Sequence, residues 1–382
     1  KCLKELDNER IAKDICERVP IKNAESLVTA YDVRPSPSDW AAVNFVSKHI
    51  NNLSRFQIKV VGSDCLQEIM KLLQGRCIAQ LTLMGPFSRT YDVQIEHVFN
   101  VLKDTKCTRY HRHTDLTLLT LEGFCMSDEA MAKIYSFFEI GSASHIQLLT
   151  LNSNKISTSG IPKFCEVLDS EHFMELTSLD FSVNPICDEG ASVLFNTLIK
   201  GPRKLARLIL HSCALTCQCV PTLVKTLQSE HCKIVELNIA YNDIGDEGVR
   251  LLCENALTEE PCKLTDLLLE YCSLTERCIS YLCKALRDER CKLNVLSLRG
   301  NKIGDEGACV LFEDGLAKEH CKLIELNLVN NSLTDQCIPG LCKALLDKRC
   351  KLTNLSLDLN NFSDSGEKVL SYVMVGKRED TI

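Results

Sequence analysis

The sequence predicts an α/β solenoid: parallel strands line the inside of a horseshoe, helices cover its outside, and a helical cap closes the N-terminal end. Three observations lead to this prediction. A leucine-centred pattern of strand, turn and helix recurs along most of the chain, its period is 29 or 30 residues, and two versions of it alternate. Self-similarity at a period of this length is typical of stacked repeats that share one continuous core.

The repeat pattern is clearest in the stretch LNVLSLRGNKIGDEG, from Leu293 to Gly307. Leu296 and Leu298 alternate at a period of two, so both lie on one buried face of a short strand. Asn301 follows the strand, where its side-chain amide can satisfy backbone groups of the turn. A unit this short cannot bury its apolar face alone, so it needs copies on both sides.

Copies of the pattern are found on both sides of this stretch, with strands expected to start at Leu53, Ile78, Leu116, Ile146, Leu176, Leu205, Ile234, Leu264, Leu293, Leu323 and Leu352. From Leu116 onward every spacing is 29 or 30 residues, whereas the first two copies are degenerate. An insertion around KCTRYHRH separates Ile78 from Leu116. Its Cys107, His111 and His113 could suggest a metal site, but the favoured interpretation is a polar loop.

Two repeat types alternate in the second half. In one type, Asn184, Asn242 and Asn301 are followed by P-I-C-D-E-G, D-I-G-D-E-G and K-I-G-D-E-G. In the other type the corresponding segments are CALTCQC, CSLTERC and NSLTDQC, so that one full unit spans about 59 residues. Each copy continues into an apolar helical stripe. Strand, helix and strand at this period require parallel strands with right-handed crossovers.

Two residue types recur in the predicted helices. Pro221 and Pro339 fall in the first helical turn, where a missing N–H costs little. Gly248 and Gly307 fall where a side chain would separate helix from strand.

The N-terminal segment does not show the repeat. LKELDNERIAKDICERV has the spacing of an amphipathic helix. A second helix is predicted to start at Ser36 or Ser38, with Trp40 and Val43 on its apolar face. The predicted organisation is a helical cap over 1–52, degenerate repeats over 53–115, regular repeats over 116–372 and a polar tail over 373–382.

Composition narrows the class of protein. The chain has 382 residues and a net charge of −7, with no basic stripe of the kind that nucleic-acid binding requires. No apolar run approaches 18 residues and no leader is visible, so neither a membrane span nor a signal peptide is expected. The 23 cysteines include no C-x-x-C, and many recur at one repeat position. We therefore expect buried thiols in a cytoplasmic protein, without metal or cofactor.

The alternating N-x-I-G-D-E-G and C-x-L-T-x-x-C units resemble the ribonuclease-inhibitor class of leucine-rich repeats from Leu116 to about Tyr372. Ribonuclease inhibitors and the C-terminal regions of NOD-like receptors both use this class. CLKELDNERIAKDI resembles the CLYE-x-Q helix of such receptors, and SPSDWAAVNFVSKH resembles their SPxDCxALxxxL entry segment, with Trp40 in place of the usual Cys. This resemblance implies a ligand-sensing and autoinhibitory domain of an intracellular innate-immune receptor, with a nucleotide-binding domain upstream.

The alternative is a free-standing inhibitor of a basic enzyme. A GTPase-activating repeat protein would also form a horseshoe, but its repeats would lack the two-type alternation. The chain has no G-x-x-x-x-G-K-[ST], G-x-S-x-G or H-E-x-x-H motif, so no enzyme activity is expected.

The expected interaction site is the concave strand surface, where residues between and just after the repeat leucines project. We expect protein partners there and no nucleic acid or membrane. Tyr241, Tyr271 and Arg299 lie in consecutive repeats and have the side chains that most often anchor a partner. The predicted surface consists of Arg207, His211, Glu236, Tyr241, Asp266, Glu270, Tyr271, Arg299, Glu325 and Asp358. Asp180 and Asn238 are expected in the same rows.

Overall fold

The computed structural model describes residues 26–29, 43–44, 47, 54–59, 63–74, 76, 78–86, 99–100, 116–138, 145–169, 173–200 and 204–379. The chain divides into two compact units, Lys1–Asn184 and Pro185–Ile382. Both are built from parallel strands connected by helices, which confirms the predicted α/β leucine-rich-repeat class within each unit.

The described part of the first unit contains six parallel strands that pair in chain order. They are β1 (Ser26–Thr29), β2 (Arg55–Lys59), β3 (Gln80–Met84), β4 (Leu118–Glu122), β5 (Leu148–Thr150) and β6 (Ser178–Asp180). Its helices are α1 (Ser63–Leu73), α2 (Asp128–Phe137) and α3 (Ile161–Asp169). An aromatic cluster fills the core between these helices, in which Phe138 and Phe173 meet edge to face at 5.1 Å between ring centroids.

The second unit also contains six parallel strands in chain order. They are β7 (Arg207–Ile209), β8 (Glu236–Asn238), β9 (Asp266–Leu268), β10 (Val295–Ser297), β11 (Glu325–Asn327) and β12 (Asn354–Ser356). Its helices are α4 (Cys187–Leu198), α5 (Val220–Leu227), α6 (Gly245–Asn255), α7 (Ile279–Leu286), α8 (Gly304–Val310), α9 (Ile338–Leu346) and α10 (Asp364–Glu379). A π-helical turn over Leu311–Leu316 continues α8.

The repeat leucines predicted the strand positions closely. Strands β2 to β12 each begin two residues after their predicted starts, because the first repeat leucine lies just before the strand. Leu296 and Leu298 are fully buried, as their alternation predicts. Strand β1 was not predicted. It lies inside the segment expected to be a helical cap, and it pairs with β2.

The two repeat types differ in how they enter their helices. The C-x-L-T-x-x-C type begins with a short 3-10 turn, for example Glu276–Cys278, capped by the hydroxyl of Thr275. The D-E-G type enters the α-helix directly with two acids in its first turn. Asp246 of one repeat accepts bonds from the backbone N and the Oγ1 of Thr275 in the next, at 2.8 and 2.6 Å. The pairs Asp188–Thr216 and Asp305–Thr334 repeat this contact.

Buried asparagines connect neighbouring repeats behind the strands. Asn301 donates through Nδ2 to the carbonyl oxygens of Leu269 and Leu298, both at 2.8 Å, and accepts from the backbone N–H groups of Cys272 and Leu274. This confirms the predicted role of its amide. In the other repeat type Cys272 takes the equivalent position, and its thiol donates to the carbonyl oxygen of Ile239 at 3.3 Å.

The prolines confirm their prediction, whereas the glycines differ from it in one detail. Pro221 and Pro339 lie in the first turns of α5 and α9. A Cβ at Gly248 would lie 2.5 Å from Cγ2 of Ile244 and 3.3 Å from Cγ2 of Val220. These contacts are with its own repeat and the helix of the preceding repeat, so the expected helix–strand contact was wrong.

The predictions for the two ends are tested only in part. The first predicted helix, Trp40 and the insertion that holds Cys107, His111 and His113 lie outside the described residues. Val43 is helical and buried, as the second predicted helix requires. At the other end α10 extends to Glu379, where a polar tail had been predicted from 373. The domain boundaries themselves stay a prediction.

Candidate functional site

The predicted partner-binding residues of the second unit occupy two rows along its strands. Arg207, Glu236, Asp266 and Glu325 form the first row, at the first position of each strand, where Val295 interrupts them. His211, Glu270, Arg299 and Asp358 form the second row, just past the strand ends. Neighbouring strands lie about 5 Å apart, so residues of one row are within reach of each other.

One acid of the first row is already paired. Nε of Arg207 donates to Oε2 of Glu236 at 2.6 Å, and both side chains are partly exposed. Oδ2 of Asp266 accepts from the hydroxyl of Thr265, its chain neighbour, at 2.5 Å. Asp266 has no cation partner among the described residues. The negative potential of this row is therefore smaller than its sequence suggests.

A ladder of three rings begins in the second row and continues one residue beyond it. We call His211, Tyr241 and Tyr271 the aromatic ladder. The ring centroids of His211 and Tyr241 are 4.6 Å apart, and those of Tyr241 and Tyr271 are 4.5 Å apart with an interplanar angle of 31°. These distances fall in the range of favourable aromatic pairs. Tyr241 is 46% exposed, which makes the ladder accessible to a partner.

The backbone carries both tyrosines in the left-handed region. Tyr241 has φ 55° and Tyr271 φ 50°, a conformation that is uncommon for bulky residues. Their backbone N–H groups donate to the carbonyl oxygens of Glu270 and Arg299 on the next strand, at 2.7 and 2.8 Å. These bonds hold each ring above the following repeat.

The repeat that follows Tyr271 has a glycine, Gly300, at the corresponding position, which leaves room for the Tyr271 ring. An ideal Cβ at Gly300 would lie 2.4 Å from Cε1 and Cζ of the Tyr271 ring. The ring therefore extends over Gly300 towards the repeat beyond it. There Nδ2 of Asn330 donates to the hydroxyl oxygen of Tyr271 at 3.5 Å.

The hydroxyl groups of the two tyrosines have opposite electrostatic surroundings. Hydrogen bonding from Asn330 and from Arg299 lowers the pKa of Tyr271, because both donors stabilise negative charge on its oxygen. Desolvation, and then the neighbouring Tyr271, raise the pKa of Tyr241. The groups around the Tyr271 hydroxyl are therefore mainly hydrogen-bond donors.

Arg299 and Glu270 lie near one another without forming an ion pair. Oε1 of Glu270 accepts from the hydroxyl of Ser297 at 2.9 Å. Nε of Arg299 is buried and has no acceptor among the described residues. No described carboxylate lies within 4.0 Å of the Arg299 guanidinium.

The remaining predicted residues are less closely associated. Glu325 and Asp358 are exposed on the last two repeats, and the amide of Asn354 lies 3.5 Å from the Glu325 carboxylate. Asp180 belongs to the first unit, where its carboxylate accepts from Ser182. Sequence reasoning did not identify Gly300, Ser297 or Asn330. The spacing of 59 residues between Tyr271 and Asn330 could have indicated the last, because it equals the doubled repeat.

Within the described residues, no group of three or more potential metal ligands is found, and no helix could span a membrane. Eighteen cysteines with described side chains are free thiols, 13 of them buried. Burial raises the pKa of Cys272 from its ordinary value of 9.0 to about 12 and that of Cys291 to about 11. Such thiols are packing groups and weak donors rather than nucleophiles.

Comparison with known proteins agrees with the repeat structure. A family model described as "Leucine Rich repeat" matches residues 175–195, 230–253 and 290–311. NACHT, LRR and PYD domains-containing protein 3 of Bos taurus is 37% identical over 195 residues, which is 51% of this chain and 18% of that protein. Ribonuclease inhibitor of Sus scrofa is 35% identical over 194 residues, which is 50% of this chain and 41% of the inhibitor.

A longer match includes more of the chain. NACHT, LRR and PYD domains-containing protein 5 of Homo sapiens is 32% identical over 251 residues, which is 66% of this chain and 20% of that protein. The chain thus spans about a fifth of the length of these NACHT, LRR and PYD domains-containing proteins and less than half of that of the ribonuclease inhibitors. Together these relatives support a protein-binding domain. The chain therefore contains leucine-rich repeats that are similar in sequence to regions of NACHT, LRR and PYD domains-containing proteins and of ribonuclease inhibitor.

Proposed function

We propose that this chain is the ligand-sensing and autoinhibitory repeat region of an intracellular NOD-like innate-immune receptor. It has no catalytic role of its own and binds a protein partner through the aromatic ladder and the two charged rows of its second unit. The parent protein would carry a nucleotide-binding domain upstream.

The aromatic ladder is the observation that carries this proposal. His211, Tyr241 and Tyr271 lie in three consecutive repeats, pack against each other and remain accessible. The left-handed backbone at this position recurs in neighbouring repeats that hold Ser212, Gly300 or Asn330, so the repeat core does not require a tyrosine there. Tyrosine is also among the residues most often found to dominate binding energy at interfaces.

A free-standing inhibitor of a basic enzyme is the second candidate. Its support is the identity of 32–35% to ribonuclease inhibitors and the carboxylates of Asp266, Glu325 and Asp358 on the strand side. Such a surface would accelerate encounter with a basic protein at low ionic strength. The pairing of Glu236 with Arg207 weakens this candidate.

Two measurements separate the candidates. If the chain belongs to a receptor, its full-length transcript should encode G-x-x-x-x-G-K-[ST] upstream of Lys1. Removing residues 116–372 from the full-length protein should then raise its basal self-association. Titrating the purified chain into a basic pancreatic-type ribonuclease should leave that enzyme active. A transcript without the motif, together with tight inhibition of the ribonuclease, would establish the inhibitor instead.

The ladder is tested with the partner identified in either experiment. Replacing Tyr241 and Tyr271 together by alanine should weaken binding by about 30-fold or more, the effect of losing interface anchors worth about 2 kcal/mol. Tyr372→Ala is the matched control, because Tyr372 is 79% exposed on α10. Equal affinity for the double variant and the control would exclude the aromatic ladder from the interface.

A further inference from the structure

We propose that Arg299, Tyr271 and Asn330 form a recognition site for one carboxylate of the protein partner, an aspartate or glutamate side chain. This inference rests on the proposed function and deepens it, because it assigns a chemical group of the partner to a place on the binding surface. The predicted surface as a whole is acidic, so the sequence alone favours a cationic group there.

The first argument is the count of donors and acceptors around the Tyr271 hydroxyl. Its oxygen accepts from Nδ2 of Asn330 at 3.5 Å, and the Arg299 guanidinium lies close enough to lower the pKa of Tyr271. A phenol that accepts in this way still has its own O–H to donate. An amide has two N–H groups and a guanidinium five, so several donors remain without an acceptor at one point of the surface.

The second argument is the state of Arg299. Among the described residues it has no carboxylate partner, and its buried Nε has no acceptor. Two other charged residues of the rows already have partners, since Arg207 is paired with Glu236 and Glu270 accepts from Ser297. A partly buried arginine without a counter-ion is costly, and a partner's carboxylate would relieve that cost.

The third argument concerns which anion fits. A planar carboxylate matches the two-pronged geometry of a guanidinium. A phosphate dianion would carry about twice the charge into a surface that holds Glu270 one strand away and Asp358 two strands away on the other side. Repulsion from these acids disfavours the dianion and leaves the singly charged carboxylate.

The fourth argument is that the site is held in place by the backbone. Tyr271 N–H donates to the carbonyl oxygen of Arg299 at 2.8 Å, and Gly300 N–H donates to that of Val329 at 2.9 Å. The missing side chain at Gly300 lets the Tyr271 ring reach Asn330. The three donors therefore come from three successive repeats whose spacing the strand pairing fixes.

The test uses the purified chain and a carboxylate probe, N-acetyl-glutamate amide, with N-acetyl-glutamine amide as its neutral isostere. Binding is followed by NMR of the tyrosine ring and arginine Nε–Hε resonances. We expect saturable shifts at Tyr271 and Arg299 with the glutamate probe only. The Arg299→Gln variant should weaken binding of the probe by about tenfold or more, because it loses a charge-assisted hydrogen bond.

Matched variants keep the result interpretable. Arg250→Gln removes the same side chain from α6, outside the predicted surface, where that arginine is paired with Glu247 and Glu254, so probe binding should not change. Arg299→Lys keeps the positive charge and loses the planar fork, and should weaken binding by less than Arg299→Gln does. Thermal unfolding of each variant shows whether it is folded.

Three outcomes would overturn the inference: equal shifts with the glutamine probe, stronger shifts with N-acetyl-lysine amide, or equal binding by Arg299→Gln and Arg250→Gln. Tighter binding of inorganic phosphate than of the glutamate probe would also contradict it, because it would point to a different anion. If the probe binds as expected but no protein partner is found, the proposed function fails alone. If a partner binds and Arg299→Gln does not weaken it, only the present inference fails.

Discussion

At the scale of single residues, the surface depends on where the backbone adopts left-handed conformations. Tyr241, Tyr271 and Gly300 occupy the same position in three successive repeats, each with positive φ. The residue type at this position decides whether a repeat presents a ring, a polar group or an open space. This position tolerates large changes of residue type, so it is well suited to diversify a binding surface.

The space above Gly300 gives a direct test. Gly300→Ala combines the strain of φ +69° with a contact at 2.4 Å to the Tyr271 ring. Gly304→Ala has similar strain, φ +60°, but no atom within 4 Å. We expect the control to lose about 1–2 kcal/mol of unfolding free energy and Gly300→Ala to lose more. Only Gly300→Ala should also shift the Tyr271 ring resonances.

Denaturant unfolding and tyrosine NMR check this pair of variants. Equal losses with unchanged Tyr271 resonances would show that the ring does not lie over Gly300.

The asparagines behind the strands give a second test. Asn301 uses its side-chain oxygen to accept from the backbone N–H groups of Cys272 and Leu274, whereas the buried Oδ1 of Asn331 has no partner among the described residues. Asn331 donates to the carbonyl oxygen of Leu298 in the preceding repeat, just as the Cys272 thiol donates to that of Ile239 in the repeat before its own. Cysteine should therefore substitute for Asn331 but not for Asn301.

We expect Asn301→Cys to lower the unfolding free energy by about 2–4 kcal/mol, because two buried N–H groups lose their acceptor. Asn331→Cys should change it by less than about 1 kcal/mol, since it removes an unsatisfied oxygen and keeps a donor. Urea unfolding of both variants measures the difference. A loss at Asn331 as large as at Asn301 would mean that a further donor satisfies the Asn331 oxygen.

At the scale of elements, each strand is short and its stability comes from the leucines that flank it. Leu296 is fully buried in the centre of β10, between Leu267 of β9 and Leu326 of β11. Leu296→Ala should cost about 2–5 kcal/mol of unfolding free energy. Val295, next to it, faces the other side of the sheet and is only partly buried. Val295→Ala should cost clearly less.

Unfolding of the two variants in urea, followed by circular dichroism, measures this ratio. A loss below about 0.5 kcal/mol for Leu296→Ala would remove β10 from the core, against its observed burial.

The elements also show how far the sequence is informative. The period and the leucines predicted eleven strands to within two residues and the order of repeat types, because both depend on local patterning. Strand β1 escaped prediction: SLVT is four residues long and stands outside the periodic region. Its strand state depends on pairing with β2, which is a tertiary contact.

The candidate site was predictable only as a set of positions. The alternation of strand residues identified which side chains project from the strand side. It did not identify that Glu236 is paired with Arg207, that Glu270 accepts from Ser297, or that Tyr271 reaches Asn330 across Gly300. These contacts depend on rotamers and on neighbours about 30 or 59 residues away, so no local pattern encodes them. The predicted surface consequently has fewer carboxylates without a partner than the sequence suggests.

At the scale of the whole molecule, the thiols link pH to stability. Burial raises the pKa of Cys272, Cys283 and Cys337 from 9.0 to about 12, and that of Cys291 to about 11. Below pH 9 these thiols are neutral in both folded and unfolded chains, so their contribution to stability is fully present. Between pH 9 and about 12 the unfolded chain loses protons that the folded chain keeps, and stability falls.

We expect the urea midpoint to be flat from about pH 7 to 8.5 and then to decline, by up to about 1.4 kcal/mol per pH unit for each such thiol. Replacing Cys272 by alanine removes one of these groups, and its stability curve should decline less steeply than that of the unaltered chain. Cys187→Ala is the control, because that thiol is partly exposed on the first turn of α4. If Cys272→Ala and the control give the same slope above pH 9, the Cys272 thiol ionises as readily in the folded chain as in the unfolded one. The Cys272 thiol would then not be shielded from water behind the strands, as its bond to the carbonyl oxygen of Ile239 requires.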